Sequence, residues 1–302
     1  MTGEQFAKKA SKILEPFCIT KGRNFKLKHI DPGDTLEFKS EDKPRAKAAL
    51  TAGIKALTEL QDKLYAQDHW AVLLIFQAMD AAGKDSAIKH VMSGLNPQSC
   101  EVTSFKAPST EELDHDFLWR AARRLPNRGH IGIFNRSYYE ETLIVRVHSQ
   151  FLESEHLPPK LITKNIWKER FEDICNFEQY LAHNGVVVRK FFLHVSKEEQ
   201  KKRFLERINN RGKNWKFSAA DVTEREHWDD YMNAYEEMIQ QTATKEAPWH
   251  VVPADHKWFT RLIVAAAVIE TLDSLNLKYP KLSARKLKDL QIAKHRLLAD
   301  GS

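Results

Sequence analysis

Short apolar runs recur along the chain, and they carry the β-branched and aromatic residues that strands favour. They are the segments WAVLLIF at 70–76, EVTSF at 101–105, HIGIF at 130–134, GVVVRKFFLHV at 185–195 and WHVVP at 249–253. Between them, apolar residues recur at helical spacing, as in Leu113, Phe117, Leu118 and Ala121, and again in Ile166, Phe171, Ile174 and Phe177. This alternation predicts a three-layer α/β fold, in which helices flank a parallel sheet and ligands bind at the carboxyl ends of the strands.

The two ends of the chain have different patterns. Before residue 50 the segment HIDPGDTLEF indicates an irregular arm, which precedes a helix through Leu50, Ile54, Leu57 and Leu60. After Pro280 the segment KLSARKLKDLQIAKHRLLADGS predicts a basic helix with a leucine stripe. We therefore expect an N-terminal arm and first helix at 1–55, a core at 56–280 and a C-terminal basic helix at 281–302.

Composition changes this picture only slightly. The chain has 302 residues, of which 42% are hydrophobic and 29% are charged, as in one large α/β domain or two small ones. Its longest apolar run, Leu262 to Ile269, is far shorter than the ~20 residues that span a bilayer, so we expect a cytoplasmic protein without a membrane partner. The cysteines are expected to be free packing thiols, and the later tryptophans core or hinge anchors: Cys18, Cys100, Cys175, Trp215, Trp228, Trp249 and Trp258.

Positive charge is concentrated in one short segment. The formal net charge is +6, and the residues from 201 to 217 include only one acidic residue, Glu206. The basic residues there are Lys201, Lys202, Arg203, Arg207, Arg211, Lys213 and Lys216. Such a cluster predicts a polyanionic partner.

The segment LLIFQAMDAAGKDSAIKHV has the order of a phosphate-binding loop: a buried strand, a turn with Gly83 and Lys84, and then a helix. The loop would consist of Ala81, Ala82, Gly83, Lys84, Asp85 and Ser86. Carboxylates beside a phosphate site need a cation between them, so Asp80 is predicted to bind magnesium. Asp85 either assists it or caps the helix.

A second polar cluster follows the strand IGIF and contains Asn135, Arg136 and Glu140. A polar cluster at the carboxyl end of a strand is where α/β proteins build their sites. Arg136 is suited to clamp a transferring phosphoryl group through paired N–H donors. The alternative is a surface ion pair between Arg136 and Glu140 or Glu141.

Five blocks, in this order and spacing, resemble the polyphosphate kinase 2 family: AMDAAGKD, FNRSYYEE followed by VRVH, FFLHVSKEEQKKRFLER, NWKFSAAD and APWHVVPADHKWFTR. The resemblance runs from about residue 24 to 280. It implies a P-loop kinase fold similar to thymidylate kinase, with a helical lid at about residues 201–230. It also implies an oligomer, a homodimer or homotetramer, that moves phosphoryl groups between inorganic polyphosphate and nucleotides with Mg²⁺.

The same resemblance implies site residues. Asp80, Gly83, Lys84 and Asp85 would form the Walker A loop, and Asn135 and Arg136 would occupy the Walker B position. Many members have FDRSWYN where this chain has FNRSYYE, which is similar to the class III subgroup that accepts both AMP and ADP. We associate Glu140 with AMP use and expect the metal on Asp80 rather than Asn135. The candidate nucleotide-binding residues, for adenine and as a second choice guanine nucleotides, are Asp116, Arg120, Asn135, Glu140 and Arg146.

Polyphosphate is a flexible polyanion, so a row of cations should hold it. Arg203, Arg207 and Arg211 recur every four residues and would line one helical face, with Lys213 and Lys216 on the following loop. A solvated basic face is the alternative. The competing functions are an ATP-dependent nucleoside monophosphate kinase and a nucleic-acid-binding module, and the chain lacks the motifs of the latter, so we expect no nucleic-acid partner.

Overall fold

The structure, a computed structural model, describes residues 10–300. Its strands form one six-stranded sheet in the order β1-β6-β5-β2-β4-β3, and all pairs are parallel except the β1–β6 pair. The strands are β1 Cys18–Ile19, β2 Ala71–Gln77, β3 Cys100–Ser104, β4 Ile131–Asn135, β5 Val186–His194 and β6 Trp249–Pro253. The five predicted strands are confirmed. The two-residue β1 is too short to leave a periodic signal.

The helices lie between the strands and around them. They are α1 Lys43–Gln67, α2 Lys84–Val91, α3 Thr110–Leu113, α4 Trp119–Ala122, α5 Ile144–Val147, α6 Ile166–His183, α7 Lys197–Asn209, α8 Ala220–Glu224, α9 Trp228–Thr242, α10 Lys257–Ser274 and α11 Ala284–Ala299. Strands β2 and β6 are buried along their whole length, which requires cover on both faces of the sheet. The three-layer α/β prediction is confirmed.

The longest apolar run of the sequence lies in α10. Its residues from Leu262 to Ile269 are all buried, and the helix packs against α1 and α2. A helix that is apolar on most of its surface belongs in the interior of a domain. Among residues 10–300, no helix is both long and apolar enough to span a membrane.

The predicted helix through residues 113–121 is wrong, because two short helices, α3 and α4, stand in its place. Between them, Asp116 Oδ1 accepts a hydrogen bond from the Leu118 backbone N–H at 3.0 Å. An aspartate that bonds the backbone two residues ahead competes with helical hydrogen bonding. This local bond accounts for the interruption.

The segment before α1 is irregular, as expected, with short 3₁₀ turns at Glu15–Phe17, Leu27–His29 and Ser40–Asp42. It is nevertheless packed on the core, since Phe17 is buried and its ring lies 6.0 Å from that of Phe259. The proposed division at residue 55 falls inside α1, and the three-part division stays a prediction. Residues 1–9 and 301–302 of that division lie outside the described part of the chain.

Candidate active site

The turn between β2 and α2 has two residues in the left-handed region of backbone space. Ala81 has φ +60° and Gly83 has φ +111°. Glycine adopts such angles freely, whereas an alanine there is strained by ~1–2 kcal/mol. Backbone strain of this kind persists only where surrounding contacts fix the conformation, and it is concentrated at functional sites.

Lys84, the first residue of α2, is buried beneath this turn. Its Nζ donates to Ala78 O at 2.7 Å and to Met79 O at 3.4 Å. Burial lowers the pKa of Lys84, and the neighbouring Asp80 carboxylate opposes that shift. The ammonium group is thus held inside the turn by backbone carbonyls, where its charge acts on the space in front of the loop.

The second polar cluster faces the first across the adjacent strands β2 and β4. Arg136 donates to Asp80 Oδ1 at 2.8 Å and to Glu140 Oε2 at 3.3 Å, and Asn135 Nδ2 donates to Asp85 Oδ1 at 2.8 Å. Glu140 and then Asp80 raise the pKa of the Arg136 guanidinium, which therefore stays charged. Arg136 thus makes the ion pair with Glu140 that was the alternative role expected from the sequence, and it also pairs with Asp80 of the loop. Its role as a clamp for a transferring phosphoryl group stays a prediction.

In front of these groups lies a cleft of about 780 Å³. It brings together most of the loop and basic residues that the sequence singled out. The lining residues among them are Asp80, Ala81, Gly83, Lys84, Asp85, Ser86, Asn135, Arg136, Arg203, Arg207, Lys213 and Lys216. Ala82 is buried behind the loop surface. Glu206 and Asp221 also line the cleft, so its acidic residues, with Asp80 and Asp85, number four beside a larger set of lysines and arginines.

A second cavity, of about 390 Å³, adjoins the cleft, since Phe105, Lys106 and Arg136 line both spaces. Its walls are mainly apolar, with Phe117 and Ile144 among them, and its polar lining includes Arg120 and Glu140. Apolar walls with a few placed polar groups are typical of small-molecule pockets. A basic cleft and an apolar pocket therefore meet at Arg136.

The family profile of polyphosphate kinase 2 matches residues 40–280, more than half of the chain. The chain belongs to the polyphosphate kinase 2 family. It is 53% identical to the ADP-polyphosphate phosphotransferase of Rhodopseudomonas palustris, over 85% of this chain and 90% of that protein. It is 42% identical to the AMP/ADP-polyphosphate phosphotransferase of Meiothermus ruber, over 89% of this chain and 96% of that one.

The fold agrees with the family. A crystal structure of polyphosphate kinase 2 from Arthrobacter aurescens superimposes with a TM-score of 0.83 and 38% sequence identity, covering 94% of this chain and 96% of that one. The strand, glycine turn, lysine and helix of the P-loop, joined to a parallel sheet, give this polyphosphate kinase 2 chain the P-loop kinase fold expected from its sequence.

Two candidate nucleotide-binding residues of this polyphosphate kinase 2 family member lie outside both cavities. Arg146 donates to Glu237 Oε2 at 2.6 Å, and its guanidinium lies 5.9 Å from the ring centre of Phe171. Asp116 instead bonds the Leu118 backbone, as described above. Their role in nucleotide binding stays a prediction.

The row of arginines is arranged differently from the expectation. Helix α7 ends at Asn209, so Arg211 lies beyond it and the expected single helical face of three arginines is wrong. Arg207 is partly exposed, and its Nη1 lies 3.8 Å from Asp221. The Arg203 side chain is only 4% exposed, and its Nε donates to Glu199 Oε1 on the same helix at 2.9 Å. Polyphosphate binding by Arg203, Arg207, Lys213 and Lys216 remains a prediction.

The cleft also contains residues that the sequence did not single out. Lys106 lines it, and Arg261 Nη2 donates to Ser86 Oγ at 2.8 Å. Arg261 follows Lys257 by four residues on α10, and this spacing was a usable signal. Trp215 also borders the cleft and is 77% exposed, so it is not a core anchor, and the other expected role, as a hinge anchor, stays a prediction.

Within residues 10–300, no group of three or more histidine, cysteine or acidic side chains is placed to hold a metal. The cleft does present the carboxylates of Asp80 and Asp85. Mg²⁺ is commonly held by one or two carboxylates together with substrate phosphates and water, rather than by a cage of protein ligands. The residues present therefore fit a magnesium ion that binds with a phosphate substrate.

Proposed function

We propose that this chain transfers phosphoryl groups from inorganic polyphosphate to AMP and ADP, giving ADP and ATP in a reversible reaction. One observation carries the proposal: a single cleft joins the P-loop and Arg136 to the basic residues Arg207, Lys213 and Lys216, and an apolar pocket opens beside it. The first part suits a long inorganic polyanion, and the second suits a nucleoside. The names of the Rhodopseudomonas and Meiothermus relatives support the same pair of substrates.

The residues of the cleft supply positioning and charge. Phosphoryl transfer requires donor and acceptor oxygens in line and the charge of the moving group neutralised. Lys84 and Arg136 face the cleft from two neighbouring strand ends, so the moving group would lie between two cations. The acceptor is a nucleotide phosphate that is already ionised, and hence no general base is needed.

We assign the magnesium ion to Asp80, with Asp85 beside it. When bound, the ion would supply positive charge that neutralises the phosphate substrate. Asn135 holds Asp85 at 2.8 Å and Arg136 holds Asp80 at 2.8 Å, so both carboxylates are oriented before any ligand arrives.

We place the acceptor nucleoside in the apolar pocket, with adenine as the first base and guanine as a further candidate. Arg120 reaches this pocket from α4, and it also donates to Lys106 O at 2.9 Å, which fixes its side chain. Glu140 lies where pocket and cleft meet and pairs with Arg136. We propose that Glu140, through that pair, adapts the site to the shorter phosphate chain of AMP.

The identity of the phosphoryl donor, polyphosphate or ATP, distinguishes this function from that of an ordinary nucleoside monophosphate kinase. Purified protein is incubated with AMP, Mg²⁺ and polyphosphate without ATP, and the nucleotides are separated by chromatography. We expect ADP first and ATP later. If neither forms, while AMP and ATP together give ADP, the chain is an ATP-dependent kinase.

The remaining alternative, nucleic-acid binding, is separated by Lys84→Ala. In the proposed enzyme this change lowers transfer by at least about 10²–10³-fold, because it removes the cation of the loop. In a nucleic-acid-binding protein the buried Lys84 contributes nothing to a basic surface, so affinity for nucleic acid would be the main activity and would survive the change.

A further inference from the structure

Helix α7 bonds three consecutive carbonyl groups of the phosphate-binding loop. Gln200 Nε2 donates to Asp80 O at 2.9 Å. Arg203 Nη1 donates to Ala81 O at 3.1 Å and to Ala82 O at 2.7 Å. Both side chains are almost fully buried, with 1% of Gln200 and 4% of Arg203 exposed.

The guanidinium of Arg203 has no donor left for a ligand. Besides the two bonds of Nη1, its Nη2 donates to Ala254 O at 2.6 Å and to Asp255 O at 3.0 Å, and its Nε donates to Glu199 Oε1 at 2.9 Å. An arginine has five N–H donors in a fixed planar arrangement, and all five are used here within the chain. Arg207, one turn further along α7, is partly exposed. Its guanidinium lies 5.6 Å from the ring centre of Phe204, makes a 3.8 Å ion pair with Asp221 and donates one long hydrogen bond, of 3.4 Å, to Lys216 O, so it keeps donors for a ligand.

These bonds fix the direction in which the loop presents its N–H groups. The peptide group is planar and trans, so the C=O of one residue and the N–H of the next point in opposite directions. Carbonyls of Asp80 and Ala82 that face α7 turn the N–H groups of Ala81 and Gly83 away from it. The same contacts hold Ala81 at its strained φ of +60°.

We propose that Gln200 and Arg203 are positioning residues, which hold the loop so that its backbone N–H groups face the phosphate, and that Arg203 is not itself a polyphosphate ligand. The inference rests on the proposed function, because it assigns to the loop the donor phosphate of that reaction. Polyphosphate then contacts the other cations of the segment that line the cleft, Arg207, Lys213 and Lys216.

A further contact extends this role to the end of the lid. Gln200 Oε1 accepts a hydrogen bond from Arg225 Nη1 at 2.6 Å, and Arg225 also donates to Lys197 O at 2.9 Å. Arg225 follows α8 directly. The Gln200 amide therefore links two segments: its oxygen accepts from Arg225, in the segment after α8, and its nitrogen donates to Asp80 of the loop.

The test measures the loop without any phosphate. Amide hydrogen exchange of residues 78–85 is compared in the wild type, Arg203→Lys and Gln200→Met. Lysine keeps the charge but cannot bond four carbonyls, and methionine keeps the length of Gln200 without its amide. We expect exchange to be faster by roughly tenfold in both variants, as for the loss of one or two hydrogen bonds. The control Glu198→Gln removes a charge from an exposed position of α7 and should leave the loop unchanged.

The second measurement is the transfer rate with tripolyphosphate as donor and ADP as acceptor. We expect kcat to fall about 100-fold in Arg203→Lys and Gln200→Met, as for a misplaced reacting group, and to stay within about twofold in Glu198→Gln. Arg207→Gln should instead raise the KM for the donor. If Arg203→Lys does not fold, Gln200→Met decides.

The outcomes separate the inference from the function. Variants whose loop exchange equals that of the wild type refute the positioning role, and so does an Arg203→Lys protein that only loses affinity for tripolyphosphate. A wild type that transfers nothing from tripolyphosphate or longer chains refutes the proposed function instead, whatever its loop exchange shows.

Discussion

The ammonium group of Lys84 serves the site while contributing little to the stability of the fold. It is buried, its pKa is lowered chiefly by that burial, and the atoms that receive its bonds are neutral carbonyls rather than a carboxylate. A desolvated charge without a direct counterion contributes little to folding. Its value lies in the potential that it creates in the cleft.

We predict that Lys84→Met lowers transfer by about 10²–10³-fold, the usual cost of removing one electrostatic stabiliser. The same change should alter the free energy of unfolding by no more than about 1 kcal/mol, because the lost hydrogen bonds are offset by removal of the desolvated charge. Urea denaturation and a transfer assay on one preparation give both values. A variant destabilised by several kcal/mol would show that Lys84 is primarily structural.

A second residue-scale feature is the buried carboxyl group of Glu141, beside Arg170 and Glu155. Arg170 Nε lies 3.0 Å from Glu141 Oε1, and Arg170 Nη2 donates to Glu155 Oε2 at 3.0 Å. Burial first, and then the charge of Glu155, raise the pKa of Glu141 from 4.5 to about 8, against the opposing effect of Arg170. One guanidinium thus serves two carboxyl groups.

This arrangement gives stability a definite pH dependence. The folded protein keeps a proton on Glu141 that the unfolded chain releases above pH 4.5. The contribution of Glu141 to the free energy of unfolding is therefore complete below pH 4.5 and is lost as the pH rises to about 8. We predict that Glu141→Gln is more stable than the wild type at pH 8, by on the order of 2 kcal/mol, and equal to it near pH 4.5. Urea denaturation across this range tests it; parallel stability curves for the two proteins would contradict it.

At the scale of elements, a buried polar network joins β5, α6 and the turn that follows β4. Lys190 Nζ donates to Glu178 Oε2 at 2.6 Å, to Tyr139 OH at 2.9 Å and to Thr242 O at 2.8 Å. The hydroxyls of Tyr138 and Tyr139 donate to Glu178 Oε1 at 2.9 Å and 2.8 Å. The network therefore anchors the turn that carries Arg136 to the cleft and Glu140 to the adjoining pocket.

We predict that Lys190→Met costs about 3–5 kcal/mol of unfolding free energy, because it leaves the Glu178 carboxylate buried without its counterion. The side chains of Lys190 and Glu178 are 0% and 2% exposed, so water does not compensate for the loss. Urea denaturation measures the change.

The matched control is the double variant Lys190→Met with Glu178→Gln. It removes both charges and keeps an oxygen acceptor for the two tyrosines, so it should recover at least half of the loss. A double variant as unstable as the single one would show that packing around Lys190, rather than charge, is what matters.

The elements also show what the sequence could predict and why. The five long strands have clear signals, because a strand buried on both faces must be apolar throughout. The interruption between α3 and α4 depends on which hydrogen bond Asp116 makes, and apolar spacing does not report that. Arg203 and Arg207 are equivalent in sequence, one helical turn apart, and only the position of the loop carbonyls distinguishes them. Local pattern therefore predicted where the site is, but not which cations are free to bind.

At the scale of the whole molecule, helix α11 is distinct from the core. It begins after Ser283, whose hydroxyl caps it through the Lys286 N–H, and it contains no buried residue. Its apolar side chains are 44–74% exposed: Leu287, Leu290, Ile292, Leu297 and Leu298. The four leucines share one face of the helix, and an exposed apolar row of this kind is a common mark of a protein contact. We propose that it joins copies of this chain in a homodimer or homotetramer.

The charge-matched pair of variants on α11 tests this assembly. Leu287→Glu with Leu290→Glu adds two negative charges on the apolar row, which a contact between copies would have to bury, at a high cost. Lys288→Glu changes the net charge by the same amount at an exposed position between them. We expect sedimentation velocity to show a smaller particle for the leucine variant and an unchanged one for Lys288→Glu. Helix α11 buries none of its residues, so neither change should expose the core, and the free energy of unfolding of residues 10–280 should stay the same in a monomeric variant. Particles of equal size for all three proteins would place the subunit contact elsewhere.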